Sequence, residues 1–386
     1  MSLIADEFEL RPFEKVALPQ SDKGKRIKQR DYLTSGKLSI VDQGQSDIGG
    51  YTDDAEMCFS GALPVVIFGD HTRAVKLVNH PFAVGADGIK IFSPAADVLL
   101  KYLYYWMKSA PIENHGYGRH YQYLRKLSVP VPSLAKQQAI VDEIEQQFSR
   151  LDEAVANLQR VKANLKRYKA SVLKAAVEGR FVESEGGWRR STLGEEGAII
   201  GGLTKNQKRN DLPLKLPYLR VANVYANELR LDNIEYIGIT EKELEKLLVR
   251  KGDLLVVEGN GSPDQIGRVA LWNDAIPNCV HQNHLIKVRL ERAVMPEWAL
   301  IWMLSPIGRN AIEQVSASTS GLHTLSVGKV SRLPIGVPSV NEQIRIVADV
   351  DRHLSIIREV ESKVDVNVNR AQALRQATLR RAFLVM

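Results

Sequence analysis

The sequence is short of the residues that would cross-link it or hold it in a membrane. Its 386 residues include only Cys58 and Cys279, too far apart for a zinc knuckle and too few for a disulfide framework. The longest apolar runs, Gly61–Phe68 and Ala299–Leu304, fall well short of the ~20 residues that span a bilayer. The opening MSLIADEFEL has early acids and no apolar segment, so it does not read as a signal peptide, and a soluble cytoplasmic protein is expected. Neither sign of charge dominates. Lys+Arg 52 against Asp+Glu 45 leaves +7, which excludes a histone-like polycation but suits a nucleic-acid partner if the positive charge is clustered. A composition of 44% hydrophobic and 25% charged residues excludes a disordered chain. At ~150 residues per domain, the length holds two or three domains.

Catalytic motifs are missing too. Asn79-His80-Pro81-Phe82 lacks the Pro-Pro of an adenine methyltransferase loop and reads as a turn before a strand. Gly321 to Gly328-Lys329-Val330 has the wrong spacing for a P-loop and ends in Val where Ser or Thr is needed. His281 and His284 form an i,i+3 pair without a third ligand, in a polar run before a strand, so no metal site is expected.

What the sequence does contain is a repeat. Leu127–Ile144 (LSVPVPSLAKQQAIVDEI) and Leu333–Val350 (LPIGVPSVNEQIRIVADV) align without a gap at an offset of 206 residues. Seven of the eighteen pairs are identical, among them Pro132/Pro338, Ser133/Ser339, Gln137/Gln343, Ile140/Ile346 and Val141/Val347. The match continues to Leu173/Leu379 and Ala176/Ala382. Each copy runs from a strand into Val-Pro-Ser, where Pro stops the strand and Ser caps a helix. No Gly or Pro follows until Gly179 in the first copy, and none follows Pro338 in the second. That predicts two helices of roughly 45 residues, ~70 Å each. Apolar positions spaced mostly by three, four and seven make a narrow stripe, as in coiled coils. Its predicted seam is Ile144, Phe148, Leu151, Val155, Leu158 and Leu165, facing Val350, Leu354, Ile357, Val364 and Leu374.

The region before each helix reads as a mixed α/β domain. Strands are expected at 37–42, 64–68, 218–224, 253–258 and 285–290, and a helix at 241–250. An aromatic helix lies near the end of each domain, at Tyr104–Trp106 and at Trp298–Trp302. The polar, glycine-rich 179–187 is a turn between the copies. Lys23, Lys25, Arg26, Lys28 and Arg30 put five positive charges in eight residues next to Tyr32, and Lys205, Lys208, Arg209 and Lys215 form a looser counterpart. Such clusters neutralise phosphates. Base edges need Arg, Asn, Gln, Ser or similar groups. Candidates are Gln43, Gln45, His71, Arg73, Arg119, His120 and Tyr121 in the first domain, and Asn260, Ser262, Arg268, His281, Gln282, Asn283 and His323 in the second.

The combination resembles the specificity (S) subunits of type I restriction–modification systems over nearly the whole chain. The resemblance rests on the duplicated strand-Pro-Ser-helix with Gln137-x-x-Ile140-Val141 and Gln343-x-x-Ile346-Val347. The helix ends SVLKAAVEGRF (171–181) and TLRRAF (378–383) add to it, as do DYLTSG (31–36), Asp42-Gln43-Gly44 and GYTDD (50–54). It implies an α+β chain with two α/β target-recognition domains, separated by two long antiparallel coiled-coil helices in a pseudo-twofold repeat. The first domain would occupy 1–132 and its helix 133–182; the second would occupy 183–338 and its helix 339–386. By resemblance the chain is non-catalytic and reads a bipartite, asymmetric sequence in double-stranded DNA. It would dock two modification subunits, which bind S-adenosylmethionine and methylate adenine N6, and restriction subunits that use ATP and Mg. No cofactor is expected on this chain itself. Two other readings stand beside this one: membership of a methylation-only complex, and a coiled-coil adaptor that binds only proteins. One departure is that Glu9–Pro19 lacks the Trp and Leu-Gly seen at Trp188 and Leu193-Gly194; Phe13 and Leu18-Pro19 are expected to stand in.

Overall fold

The computed structural model of the chain describes residues 8–86, 88–116, 118–183, 187–259, 265–291, 293–316 and 324–383. Contacts divide it into two compact units, one of Met1–Gln159 with Val364–Met386, the other of Arg160–Lys363.

In the first unit the apolar run Val65–Gly69 is buried throughout and forms an inner strand of a four-stranded sheet. The order is Ala17–Gln20, Ile89–Pro94, Val65–Gly69, Val75–Val78. A three-stranded sheet follows the order Gly50–Thr52, Leu38–Val41, Phe82–Val84, the last pair parallel. A two-stranded ribbon pairs Glu9–Pro12 with Ser128–Val131. Phe13, Phe92, Tyr102 and Trp106 form the middle of the core, with Ile140, Val141 and Ile144 from one long helix and Leu379, Ala382 and Phe383 from the other.

The second unit repeats this plan sheet for sheet. Gly197–Gly201, Leu285–Leu290, Leu254–Val257 and Val269–Leu271 make the four-stranded sheet. Glu235–Gly238, Lys215–Leu219 and Val280–His281 make the three-stranded one, again with its last pair parallel. Arg189–Thr192 pairs with Pro334–Val337 in the register of the first ribbon. The duplication read from the helices therefore extends through both units. The second unit adds a hairpin, Val224–Tyr225 with Glu228–Leu229, and a helix, Pro306–Ser316.

Two expectations need correction here. The stretch 218–224 is not one strand. The strand ends at Leu219 and a 3-10 turn spans Val221–Asn223, because the buried Asn223 side chain accepts from the Arg220 N–H and donates to the carbonyls of Arg230 and Asn233. Phe13 takes the place of Leu193, not of Trp188: each donates its backbone N–H at 3.0 Å to the carbonyl of the residue that opens the repeated segment, Leu127 or Leu333. Leu18, by contrast, is exposed on its strand, and it is Phe8 that, like Trp188, packs against the core ahead of the first strand.

The long helices are Leu134–Val177 and Val340–Phe383, 44 residues each. Ser339 opens the second with reciprocal bonds to Glu342, a capping box. Behind each helix start lies a fully buried glutamine. Gln137 Oε1 accepts from the Leu99 N–H at 2.7 Å, and its Nε2 donates to the carbonyls of Asp97 and Pro132. Gln343 does the same with the Met295 N–H and the carbonyls of Ala293 and Pro338. Each amide thus joins the long helix to the N-terminal end of the aromatic helix, Leu100–Ser109 or Pro296–Leu304. The Tyr102 hydroxyl and the Trp298 indole N–H add a second tie, to the carbonyls of Pro130 and Gly336 at the end of the repeat's last strand.

The helices pair antiparallel within each unit. In the first, the start of one shares a core with the end of the other. In the second, Val172, Leu173 and Ala176 share a core with Ile346, Val350, Leu354 and Ile357. Ile144, Val350, Leu354, Ile357 and Val364 are buried, and Phe148, Leu151, Val155, Leu158 and Leu165 are half-buried. Leu374 is a correction: it is 47% exposed. Arg375 takes that side of the seam, with its guanidinium 4.5 Å from the Phe148 ring centre and paired to Asp152 at 2.6 Å, and Ala371 is the buried residue one turn earlier.

Replacing Gln137 or Gln343 with Leu would leave one N–H and two carbonyls in the core without that partner. Either variant is expected to lose roughly 2–4 kcal/mol, read as a lower midpoint in urea. An unchanged midpoint would show that the amide is dispensable.

Candidate nucleic-acid interface

In each unit several connections meet at one edge of the sheets. In the first unit, 21–37, 42–49, 70–74, 85–86 and residue 88 are bound together there. The Ile27 N–H donates to Val84 O, the Tyr32 hydroxyl accepts from the Ala86 N–H, and the Asp70 N–H donates to Gly88 O at 2.7 Å. Gln43 is half-buried and Gln45 is exposed, and both bond to the 70–74 turn. Gln43 Oε1 accepts from the His71 N–H, its carbonyl accepts from the Thr72 hydroxyl, and Gln45 Nε2 donates to Thr72 O. Both glutamines therefore hold the 70–74 turn in shape; for the half-buried Gln43 that is a correction to its reading as a base contact.

The basic loop divides in two. Lys25 Nζ donates to Glu56 O at 2.6 Å, and Arg26 pairs with Asp22. Although burial works against it, the Gly24 N–H and Arg26 hold the Asp22 carboxyl below its ordinary range. Lys23, Lys28 and Arg30 are exposed. Lys23 and Gly24 both have positive φ, +53° and +74°, which turns the loop tip. Arg119 is exposed, while Arg73 donates to Ile112 O at 2.8 Å. His120 is fully buried, its ring between the Asp70 carbonyl and the His115 N–H, and Tyr121 packs on Phe13 and Phe92. His120 and Tyr121 are thus parts of the core and of the turn, a second correction.

In the second unit the same edge gathers Lys205, Arg220, Arg268, Gln282 and Asn283. The Asn283 N–H donates to Leu203 O, and Gln282 Oε1 accepts from the Val221 N–H at 3.4 Å. Arg268 reaches Val221 O, also at 3.4 Å. Glu235 joins Lys205 at 2.9 Å to Arg220 at 2.6 Å. Lys208 and Lys215 are exposed. Arg209 is not available to a phosphate: it is bonded to both Glu243 oxygens and to the carbonyls of Gly238 and Thr204. That guanidinium, with help from Thr240, brings the Glu243 carboxyl down to about 2. His281 is also a correction, being fully buried with its ring nitrogens 3.2 Å from Leu247 O and 3.4 Å from Ile200 O. Burial, with Lys287 nearby, brings its pKa down to about 4. Asn260, Ser262 and His323 lie outside the described residues.

The sequence did not single out Arg220, Tyr225 and Arg230. They sit in 220–234, which is longer than its counterpart 42–49 and interleaves basic residues with an aromatic, a signal that was there to be read. The Tyr225 ring has two guanidiniums on it, Arg230 at 3.9 Å and Arg268 at 4.8 Å from its centre. Among the described residues there is no group of three or more His, Cys, Asp or Glu that could hold a metal ion, and no helix long and apolar enough to cross a membrane.

No family model matches the chain. It is 28% identical over 269 residues to the type I restriction enzyme EcoKI specificity subunit of Escherichia coli (strain K12), covering 67% of this chain and 57% of that one. It is 27% identical over 268 residues to the StySPI specificity subunit of Salmonella potsdam, again 67% and 57%. The match to the EcoR124I/EcoR124II specificity subunit of Escherichia coli is 24% over 343 residues, 84% and 81%. The chain thus spans less than two thirds of the first two relatives. Among solved structures it is similar in fold to the HsdS subunit from Thermoanaerobacter tengcongensis, with TM-score 0.54, 16% identity and coverage of 97% and 96%. It is also similar to a chain from a structure of a type I R-M system, with TM-score 0.67, 16% identity and coverage of 99% and 96%.

The buried His281 makes a pH prediction. An unfolded histidine titrates near 6.5, so between that pH and about 4 the unfolded chain binds the proton and the folded one does not. Stability is therefore expected to fall as pH drops through this window. Melting temperatures of His281→Gln, compared with the parent across pH 7 to 4, should show a smaller acid loss. Identical acid losses would show that His281 titrates normally.

Proposed function

We propose, from the premise that this chain is a relative of the type I restriction enzyme specificity subunits, that it is the non-catalytic subunit that reads a bipartite DNA target. Each reader takes one half of an asymmetric sequence. The supporting observation is the fold itself: one topology used twice, with the differences concentrated in the connections at matching strand ends. A shared scaffold with divergent edges suits two different half-sites. In this reading 1–132 and 183–338 are the readers, and 133–182 and 339–386 are helices that set the half-site spacing and dock two modification subunits. Those partners bind S-adenosylmethionine and transfer the methyl group to adenine N6. Restriction subunits, with ATP and Mg, complete the assembly in the cytoplasm. This chain holds no cofactor and contributes recognition.

Lys23, Lys28, Arg30, Lys208 and Lys215 are exposed cations of the two edges and are assigned to phosphates. Arg119, Arg268, Gln282 and Asn283 remain the base-contact candidates, and His71 and Arg73 shape the turn behind them. A phosphate contact releases counterions and carries no sequence information.

Mapping methylated adenines in cells that carry this chain with its modification subunit is expected to give one interrupted motif. The absence of methylation would favour a protein adaptor. Replacing Lys23, Lys28 and Arg30 together with Ala should weaken binding to all sequences alike and make the log–log salt slope shallower by about 2–3. A changed motif would contradict the phosphate assignment. Inserting one helical turn into both long helices should alter the length of the unread spacer while leaving both half-sites as they were; an unchanged spacer would remove the ruler role.

A further inference from the structure

The hairpin Val224–Tyr225 with Glu228–Leu229 has no counterpart among the described residues of the first unit. It is fixed from below. The Asn227 N–H donates to Val269 O at 2.9 Å, and buried Asn223 bonds across the loop to Arg230 O and Asn233 O. The Tyr225 ring on this hairpin is therefore held in place. Two guanidiniums lie on it, and they differ. Arg230 is exposed and paired with Glu228 at 2.8 Å. Arg268 is half-buried, has no carboxylate partner among the described residues, and its Nε is buried without a hydrogen-bond partner. Its terminal nitrogens make only long contacts of 3.4 Å, to Val221 O and Gln265 Oε1.

Resting on the DNA-reading function above, we propose that Arg268 reads a guanine in the half-site of the second reader, with Tyr225 as the positioning residue that fixes the plane of its guanidinium. Three features carry this. A guanidinium lying on a ring keeps its fork of N–H donors in one plane, and that fork matches the O6 and N7 acceptors of guanine. Arg268 and Gln282 reach the same backbone residue, Val221, at the edge where the connections meet, and Arg268 is half-buried there, whereas Lys208 and Lys215 are exposed. No ion pair joins it to an acid among the described residues, whereas Arg209, Arg220 and Arg230 each have a glutamate. The first reader uses the corresponding turn differently: Arg73 there is tied to Ile112 O. The device therefore belongs to one half-site only.

The test is methylation mapping of the full chain with its modification subunit. The parent motif is expected to contain a guanine that Arg268→Ala relaxes, with discrimination at that single position falling about tenfold to a hundredfold. Arg268→Lys, which keeps the charge and loses the fork, should relax the same position and serves if the alanine variant fails to fold. Tyr225→Phe should retain the parent motif, and Tyr225→Ala should relax the same guanine less strongly. If Arg268→Ala and Arg268→Lys lower methylation at every site without changing the motif, or relax a position that is not guanine, the assignment is overturned. If the parent complex methylates no bipartite sequence, the DNA-reading function fails, and Arg268 with it.

Discussion

The structure depends on a carboxamide buried twice. A helix that starts after Val-Pro-Ser has free backbone groups near its first turn, and the aromatic helix beside it has others. Gln137 and Gln343 satisfy donor and acceptors together, linking three chain segments with one side chain. A buried polar group with all its partners fixes geometry more narrowly than apolar packing of the same volume, because any shift leaves an unpaired group. The angle at which the sheets of each unit join its long helix is set at this point. The ties from Tyr102 and Trp298 to the last strand act on the same junction from the other side.

Away from that junction the two units are free to differ, and they do so with buried polar groups of their own. In the second unit the Lys287 ammonium is fully buried and donates to the carbonyls of Lys246 and Leu248, while Arg289 pairs with Asp253 at 2.7 Å. Burial lowers the Lys287 pKa to about 8. In the first unit Lys76 is buried and donates to Ser46 O beside Asp42. Each unit thus anchors its connections with a buried lysine on a different strand. Edge loops can diverge in sequence because the fold beneath them is closed by local polar contacts that each unit supplies for itself.

Much of this was legible. The long helices begin and end within a few residues of the sequence reading, because Pro, Ser and Gly act locally and apolar periodicity needs only the chain itself. The strand Leu285–Leu290 was read at its observed bounds. The candidate contacts were harder. His120, His281 and Arg209 are polar residues in polar runs, and nothing local separates a histidine that faces solvent from one closed between two carbonyls. The groups that capture them lie far along the chain: Asp70 for His120, Ile200 and Leu247 for His281, Glu243 for Arg209. Leu374 failed for a related reason. The stripe was extended by spacing alone, and the spacing did not show that Arg375 could cover Phe148 and reach Asp152.

The division of each long helix between two compact units has a consequence for how the chain is made. The second unit is one continuous stretch, Arg160–Lys363, and all of its core is available once that stretch has left the ribosome. The first unit is split: its early strands need Leu379, Ala382 and Phe383 to close the core around Tyr102. A domain generally folds as a unit during synthesis, so the part translated first is finished last. Until then its apolar face, with Trp106 and Ile144, lacks the helix that covers it. In the growing chain, that face is the surface a chaperone would have to shield.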